Sequence, residues 1–320
     1  MKKLIPDGIS DFKTLIENNY YYVDKTPFIS EVGKNVGKTL LFTRPRRFGK
    51  TLNMSMLKYF FDVREAEENR KLFKGLEIQK SSYFKEQGKY PVIFISMKDI
   101  KEMSFDRAIT EVKNLLSSLY NQFEFIREKL NENELIEFNN IWLEKNDNNL
   151  RKALLNLAIF LQKYYQKKVI VLIDEYDTPL VSAYRYGYYR EAKNFFSGLY
   201  GSVLKDNTVL QMGVITGIIR VVRAGIFSDL NNLKERSILN KEYDEYFGFL
   251  EKETKEALKY YEIDSKLGEV HSWYNGYRFG DTKVYNPWSI LNFLSEREFK
   301  SYWIDTSENY LIKDILKSAD

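Results

Sequence analysis

The sequence predicts an α/β fold, a three-layer arrangement in which a parallel sheet carries helices on both faces, followed by a smaller, mostly helical domain with a short hairpin. Three observations predict it. An apolar run, Thr39-Leu40-Leu41-Phe42-Thr43, feeds a basic loop that ends in Gly49-Lys50-Thr51 and passes into a helical pattern. The most apolar run of the chain, Val169 to Ile173, ends in two adjacent carboxylates, Asp174 and Glu175. Strand-like runs also alternate with helical stretches, as parallel strands joined by helical crossovers require.

Taken in order, Ile5-Pro6-Asp7-Gly8 reads as a turn, Phe12 to Glu17 as a short helix, and Tyr20-Tyr21-Tyr22-Val23 as a short strand. Asp24-Lys25-Thr26-Pro27 reads as a helix start with Pro near the first turn. Beyond the loop, Leu52, Met56, Leu57, Phe60 and Phe61 fall at helical spacing. Tyr90 to Ser96 is a β-rich run whose continuous apolar character suits a strand covered on both faces. Helical stretches follow near 103–122, 130–145 and 149–166, then the Val169 strand, then a helix over about 187–204. Val209 to Thr216 is a fourth strand candidate.

From about 236 the texture changes: charged helical residues over 251–261, then Trp273-Tyr274-Asn275-Gly276-Tyr277-Arg278-Phe279-Gly280 as a turn and small hairpin with Val284 and Tyr285 on its return strand. Asn286-Pro287 opens a helix through Phe293. The expected division is a domain over 1–235 and a small helical, winged-helix-like domain with the start of a linker over 236–320.

Composition closes off several chemistries. With no cysteine, thiolate catalysis, disulfides and cysteine-ligated metals are excluded, and the single histidine, His271, excludes multi-histidine metal sites. No Gly-x-Ser-x-Gly elbow is present to make His271 the base of a serine hydrolase. A net charge of +4 is small for 320 residues and argues for neither nucleic acid nor an anionic membrane. The N-terminus has no apolar signal region, and no run approaches the ~18 apolar residues that span a bilayer. A cytoplasmic location and no membrane partner are the expectation.

Strand, basic loop, Gly-Lys-Thr and helix is the order a phosphate-binding loop needs. Backbone N–H groups at the loop and helix start face an anion, and the helix dipole adds positive potential. Lys50 suits β- and γ-phosphates, and the Thr51 hydroxyl suits Mg²⁺. The full pattern asks for glycine five residues before Gly49, where this chain has Arg44. The alternative is an ordinary helix N-terminus after a basic surface loop. Arg44, Arg46 and Arg47 read either as phosphate clamps replacing that glycine or as a basic surface for nucleic acid.

The Asp174-Glu175 pair sits at the carboxyl end of a predicted central strand, where open parallel sheets bind ligands. Asp174 is the candidate to hold Mg²⁺ and Glu175 to activate water, the alternative being a strand exit into solvent with a capping acid. Thr216, at the tip of its own strand, reads either as a sensor of a γ-phosphate or as a plain strand terminus, and Arg220 and Arg223 just beyond either as reporters on that phosphate or as a solvated helix face. Tyr22, Asp24 and Lys25 could fold over a base or ribose, or could simply pack.

Arg44-Pro45-Arg46-Arg47-Phe48-Gly49-Lys50-Thr51, Tyr22-Val23-Asp24-Lys25-Thr26 and Ile173-Asp174-Glu175-Tyr176-Asp177-Thr178-Pro179-Leu180 together resemble the AAA-ATPase-like family. Thr216-Gly217 leading to Phe227-Ser228-Asp229-Leu230-Asn231-Asn232, Trp273 to Phe279, and Val284-Tyr285-Asn286-Pro287-Trp288-Ser289 add to the resemblance, which runs from about 4 to 305. It implies a P-loop NTPase fold and Mg²⁺-dependent ATP binding and hydrolysis. By that likeness Arg46, Arg47, Phe48, Gly49, Lys50, Thr51 and Leu52 bind nucleotide. Thr51 and Asp174 hold the metal, and Lys50, Glu175 and Thr216 act in catalysis. The substituted loop glycine is shared with the family. Members often continue into a restriction-endonuclease-like nuclease domain, for which no carboxylate–lysine pattern is found here. Two other readings stay open, a nucleotide-gated switch or scaffold with little turnover, and a nucleic-acid-binding module using the basic loop and the aromatic patch at Trp273. Nucleotide is the expected partner, while protein partners, oligomeric state and the choice of ATP over GTP are not legible.

Overall fold

The computed structural model describes residues 2–144, 147–218, 227 and 230–303. The chain opens with α1 (Phe12–Glu17), α2 (Pro27–Gly33), β1 (Thr39–Thr43), α3 (Lys50–Phe61), α4 (Ala66–Lys71) and β2 (Val92–Ser96). Helices α5 (Phe105–Asn121), α6 (Glu132–Trp142) and α7 (Ala153–Tyr165) lead to β3 (Val169–Asp174), then α8 (Thr178–Tyr186), α9 (Tyr189–Leu204), β4 (Leu210–Gly217) and β5 (Leu233–Arg236). The last elements are β6 (Phe249–Leu250), α10 (Glu251–Tyr260), α11 (Leu267–Tyr274), β7 (Asn275–Phe279), β8 (Thr282–Tyr285) and α12 (Pro287–Glu296). By contact the chain divides into two compact units. A sheet unit comprises 29–43 and 57–235, and a second unit is assembled from 1–28, 44–56 and 236–320.

In the sheet unit the strand order is β2-β3-β4-β1-β5. β2 with β3, β3 with β4, and β4 with β1 all pair in parallel. Burial follows this order. β1 and β3 are buried at every position and β4 at all but one, whereas edge strands β2 and β5 are partly exposed. Because successive side chains on a strand point to opposite faces, unbroken burial means that both faces are covered.

The registers align Ile95, Ile173, Ile215 and Leu41 in one transverse row. That row joins a single apolar core with helices α5, α6, α7 and α9. Residue period accounts for those helices. α9 buries Ala192, Phe195, Phe196, Leu199, Tyr200, Val203 and Leu204, a three-and-four stripe along one face. α5 does the same with Ala108, Val112, Leu116 and Leu119, behind a Ser104 cap. α6 starts on a capping box between Asn131 and Glu134.

The second unit packs α10, α11 and α12 around Leu258, Val270, Tyr274, Tyr285, Ile290 and Phe293. Its antiparallel sheet has the order β6-β8-β7, so the expected hairpin gains a third strand. Asn286 caps α12 by accepting the Trp288 N–H, and Pro287 fills the first helical position where no N–H is needed. Lys25 is buried here against Glu253, at 2.7 Å, and also donates to the Glu245 carbonyl at 2.7 Å. The same Glu253 carboxylate accepts the Leu250 N–H at the start of α10. Lys25 therefore packs, and Tyr22, whose hydroxyl accepts the Lys25 N–H, packs with it.

One expectation is overturned. Tyr20 to Val23 is not a strand, and Tyr20 makes only an isolated bridge to Leu4. Four consecutive β-prone residues with no neighbouring strand to complete a ladder stay irregular.

Candidate functional site

One row further along the strands, on the opposite face from Ile173 and Ile215, Ser96, Asp174, Thr216 and Phe42 lie side by side at the carboxyl edge of the sheet. Asp174 is fully buried and Thr216 nearly so. A carboxylate out of water must be hydrogen-bonded, and the Thr216 hydroxyl donates to Asp174 Oδ1. The same hydroxyl oxygen accepts the Glu175 N–H at 3.4 Å. Thr216 thus joins the two acids, one through its side chain and the other through its backbone.

Glu175 has left the strand. Its φ is +52°, a left-handed conformation that costs a glutamate on the order of 1–2 kcal/mol. Its Oε2 accepts the Thr178 hydroxyl at 3.2 Å. The bend is held behind by Tyr176, whose N–H donates to the Thr216 carbonyl at 3.1 Å and whose own carbonyl accepts the Tyr200 hydroxyl at 3.1 Å. Asp177 accepts the Ile218 N–H at 2.7 Å, tying the α8 start to the end of β4. Gly217 makes this possible, since a Cβ there would lie 2.4 Å from the Tyr176 ring. Burial pushes the Tyr176 and Tyr200 phenols well above their ordinary value, so both stay neutral donors.

β1 ends at this same edge. Phe42 pairs with Thr216 and Thr43 with Gly217.

The loop itself belongs to the second unit. Arg47 (φ +68°) and Gly49 (φ +79°) are left-handed, while Arg46, Phe48 and Lys50 are not. Such alternation turns successive N–H groups toward one side, a concavity suited to an anion. α3 begins at Lys50, so the loop runs straight into the positive end of a helix dipole. The Lys50 ammonium donates to the carbonyls of Arg44 at 3.0 Å and Pro45 at 2.9 Å, within its own loop. Thr51 and Leu52, in the first turn, are half-buried.

The basic residues part company. Arg44, which reads as a phosphate clamp or a surface charge, is only 1% exposed. Its Nη1 donates to the Arg236 carbonyl at 2.6 Å, and its guanidinium lies 4.9 Å from the Phe247 ring and 5.2 Å from that of Phe279. Burial lowers its pKa to about 10, with Asp244 pulling the other way. Arg46 and Arg47 are exposed, and Arg47 lies 3.9 Å over the Trp288 ring. Phe48 is fully buried against Tyr277 and Phe279, at 4.8 and 5.1 Å between ring centroids.

The predicted site residues therefore fall into two groups. Asp174, Glu175 and Thr216 are brought together at the sheet edge, and Arg46 through Leu52 form the loop and first helical turn. Arg220 and Arg223 lie outside the described residues. The sequence reading missed Thr178 as partner of Glu175 and Asp177 as the anchor of Ile218. Two polar residues just past Tyr176, the residue that follows the paired acids, were the signal. Among the described residues no three histidine, cysteine, aspartate or glutamate side chains cluster to hold a metal, and no helix is long and apolar enough to cross a membrane.

Comparison with known proteins adds the following. The chain is similar to a protein described as an uncharacterized protein in the vnfD 5′ region of Azotobacter chroococcum mcd 1, with 28% identity over 323 residues. That alignment takes in 98% of this chain but 56% of the relative, so the chain spans little more than half of that protein's length. The family described as Predicted AAA-ATPase matches residues 6–227, which include β1, the loop, β3 and β4. The chain belongs to this AAA-ATPase-like family.

Proposed function

We propose that the chain binds ATP with Mg²⁺ and hydrolyses it. The single observation that carries this reading is the edge arrangement, with a buried carboxylate on β3 and a hydroxyl on β4 hydrogen-bonded together beside the strand that leads into a Gly-Lys-Thr loop. Membership of a family of predicted ATPases supports the same reading.

The residues fit the ligand. A loop with left-handed turns at Arg47 and Gly49 presents N–H groups to phosphate oxygens, with Lys50 to neutralise charge. The Thr51 hydroxyl and the Asp174 carboxylate are the hard oxygen donors that Mg²⁺ takes. That ion is commonly held by one or two carboxylates plus waters and phosphate rather than by a cage of acids. When bound, the cation supplies charge neutralisation on the phosphate oxygens.

The chain's own residues do the rest. Lys50 exchanges the carbonyls of Arg44 and Pro45 for β- and γ-phosphate oxygens, a stronger charge-assisted bond. Glu175, released from Thr178, orients the attacking water and accepts its proton. Thr216 holds Asp174 in place and keeps Glu175 at the strand tip through its backbone. The phosphate loop and the metal-holding groups act as positioning and electrostatic stabilisation, which is most of what phosphoryl transfer asks of a protein.

A thermal-shift titration with ATP, GTP and ADP, each with and without Mg²⁺, tests the reading. ATP with Mg²⁺ should raise the melting temperature in proportion to the logarithm of its concentration, by about 2.7 kcal/mol of stabilisation at a hundredfold excess over Kd. No shift with any nucleotide ends the proposal. A nucleotide-gated switch with little turnover is the second reading, favoured by the engagement of Glu175 with Thr178. Single-turnover phosphate release separates the two.

A further inference from the structure

The Arg44 side chain is far more deeply committed than a loop residue needs to be. It is 1% exposed, its guanidinium is wedged between Phe247 and Phe279, and it donates to the carbonyls of Arg236 at 2.6 Å and Tyr243 at 3.5 Å. Four positions on, Phe48 is fully buried on Tyr277 and Phe279, against a wall at Gly248 so close that a Cβ there would sit 3.0 Å from the Phe48 ring. Both anchors lie in the same unit as the loop. Between them runs the backbone whose φ alternates at Arg47 and Gly49, and the Arg44 carbonyl is itself an acceptor for the Lys50 ammonium.

We propose that Arg44 and Phe48 are positioning residues for the phosphate loop. Their buried side chains fix both ends of 44–48, and through the Arg44 carbonyl they fix the resting place of Lys50. The inference rests on the nucleotide reading for its functional consequence, though not for its structural one. The physical reason is entropy. A glycine-rich loop is free until an anion organises it, whereas a loop tied at two side chains loses that freedom on folding and gives up less on binding. The arginine that departs from the usual first glycine is then the source of the loop's order. It could do this only if its guanidinium has backbone acceptors and aromatic faces to replace water.

Arg44→Met tests this, because it keeps the aliphatic stem and removes the donors, with Arg44→Lys as the conservative rescue and Phe48→Leu as the second anchor. Two readouts are taken on the full chain. Without nucleotide, amide hydrogen exchange over 44–51 should accelerate at least about tenfold in Arg44→Met and Phe48→Leu while β7 and β8 keep their protection. With ATP and Mg²⁺, kcat/KM should fall about a hundredfold in Arg44→Met, with kcat as well as KM affected, and recover in part in Arg44→Lys. Loop exchange unchanged from wild type overturns the proposal whatever the nucleotide data show. Protection lost uniformly over 236–303 in both variants overturns it in favour of plain packing. Faster loop exchange in a protein whose wild type binds no nucleotide supports the positioning role and refutes the ATP reading, so the two failures are distinguishable.

Discussion

At the scale of single residues, the proposed chemistry turns on Glu175 and on Thr216, which holds it. A threonine hydroxyl has one donor and two acceptor lone pairs, and both kinds are used here, the donor to Asp174 and an acceptor for the Glu175 N–H. Glu175→Gln keeps the size and polarity of the side chain and removes its basicity. It should bind ATP with unchanged affinity and lower single-turnover phosphate release by at least about a hundredfold. Lys50→Ala should instead abolish tight binding. If Glu175→Gln releases phosphate at the wild-type rate, the base lies elsewhere. The paired acids were legible in the sequence because an unbroken apolar run marks a buried strand, and adjacent carboxylates at a buried strand end call for a cation or a reaction. Arg44 was not. Its acceptor, the Arg236 carbonyl, is 192 residues away, and no local pattern distinguishes an arginine bound for burial from one bound for solvent.

At the scale of elements, period and capping account for most of what the sequence discloses. The stripe over α9, the Ser104 cap of α5 and the Pro287 start of α12 are all visible as residue types at fixed spacing. Elements set by distant pairing are not. β6 is two residues long and exists because β8 pairs with it, and Tyr20 to Val23 has β-prone residues but no partner strand. α10 shows how a distant segment completes an element. Glu253 accepts the Leu250 N–H at the helix start and also neutralises Lys25, the lysine and glutamate side chains being only 10% and 12% exposed. Burial lowers the Lys25 pKa and Glu253 opposes it. Lys25→Met leaves a buried carboxylate uncompensated and should cost roughly 3–5 kcal/mol, while adding Glu253→Gln should restore much of that loss. Urea melts of the two single variants and the double variant measure it, and purely additive losses would show that the pair is not coupled.

At the scale of the whole molecule, tyrosine content sets a limit on alkaline stability. Burial raises Tyr176 and Tyr200 far above the ordinary value of 10.0, and it also raises Tyr83 to about 12. The unfolded chain releases those protons near pH 10 while the folded chain keeps them, so the folded state binds more protons above that pH. Stability is then fully present below about pH 10 and declines as pH rises, by up to about 1.4 kcal/mol per pH unit for each fully buried phenol. Melting temperatures taken from pH 8 upward should hold level and then drop steeply, and a flat profile to about pH 11 would refute the assignment.

The second unit draws on three separate stretches, 1–28, 44–56 and 236–320. During synthesis, domains tend to fold as units in the order they leave the ribosome. Here Lys25 and Phe48 emerge early, yet Glu253, Tyr277 and Phe279 follow only some two hundred residues later. The loop over 44–51 must therefore wait, unanchored, until translation has passed the hairpin. A nascent chain halted after β4 should carry its acids and its Gly-Lys-Thr sequence, but not an ordered loop.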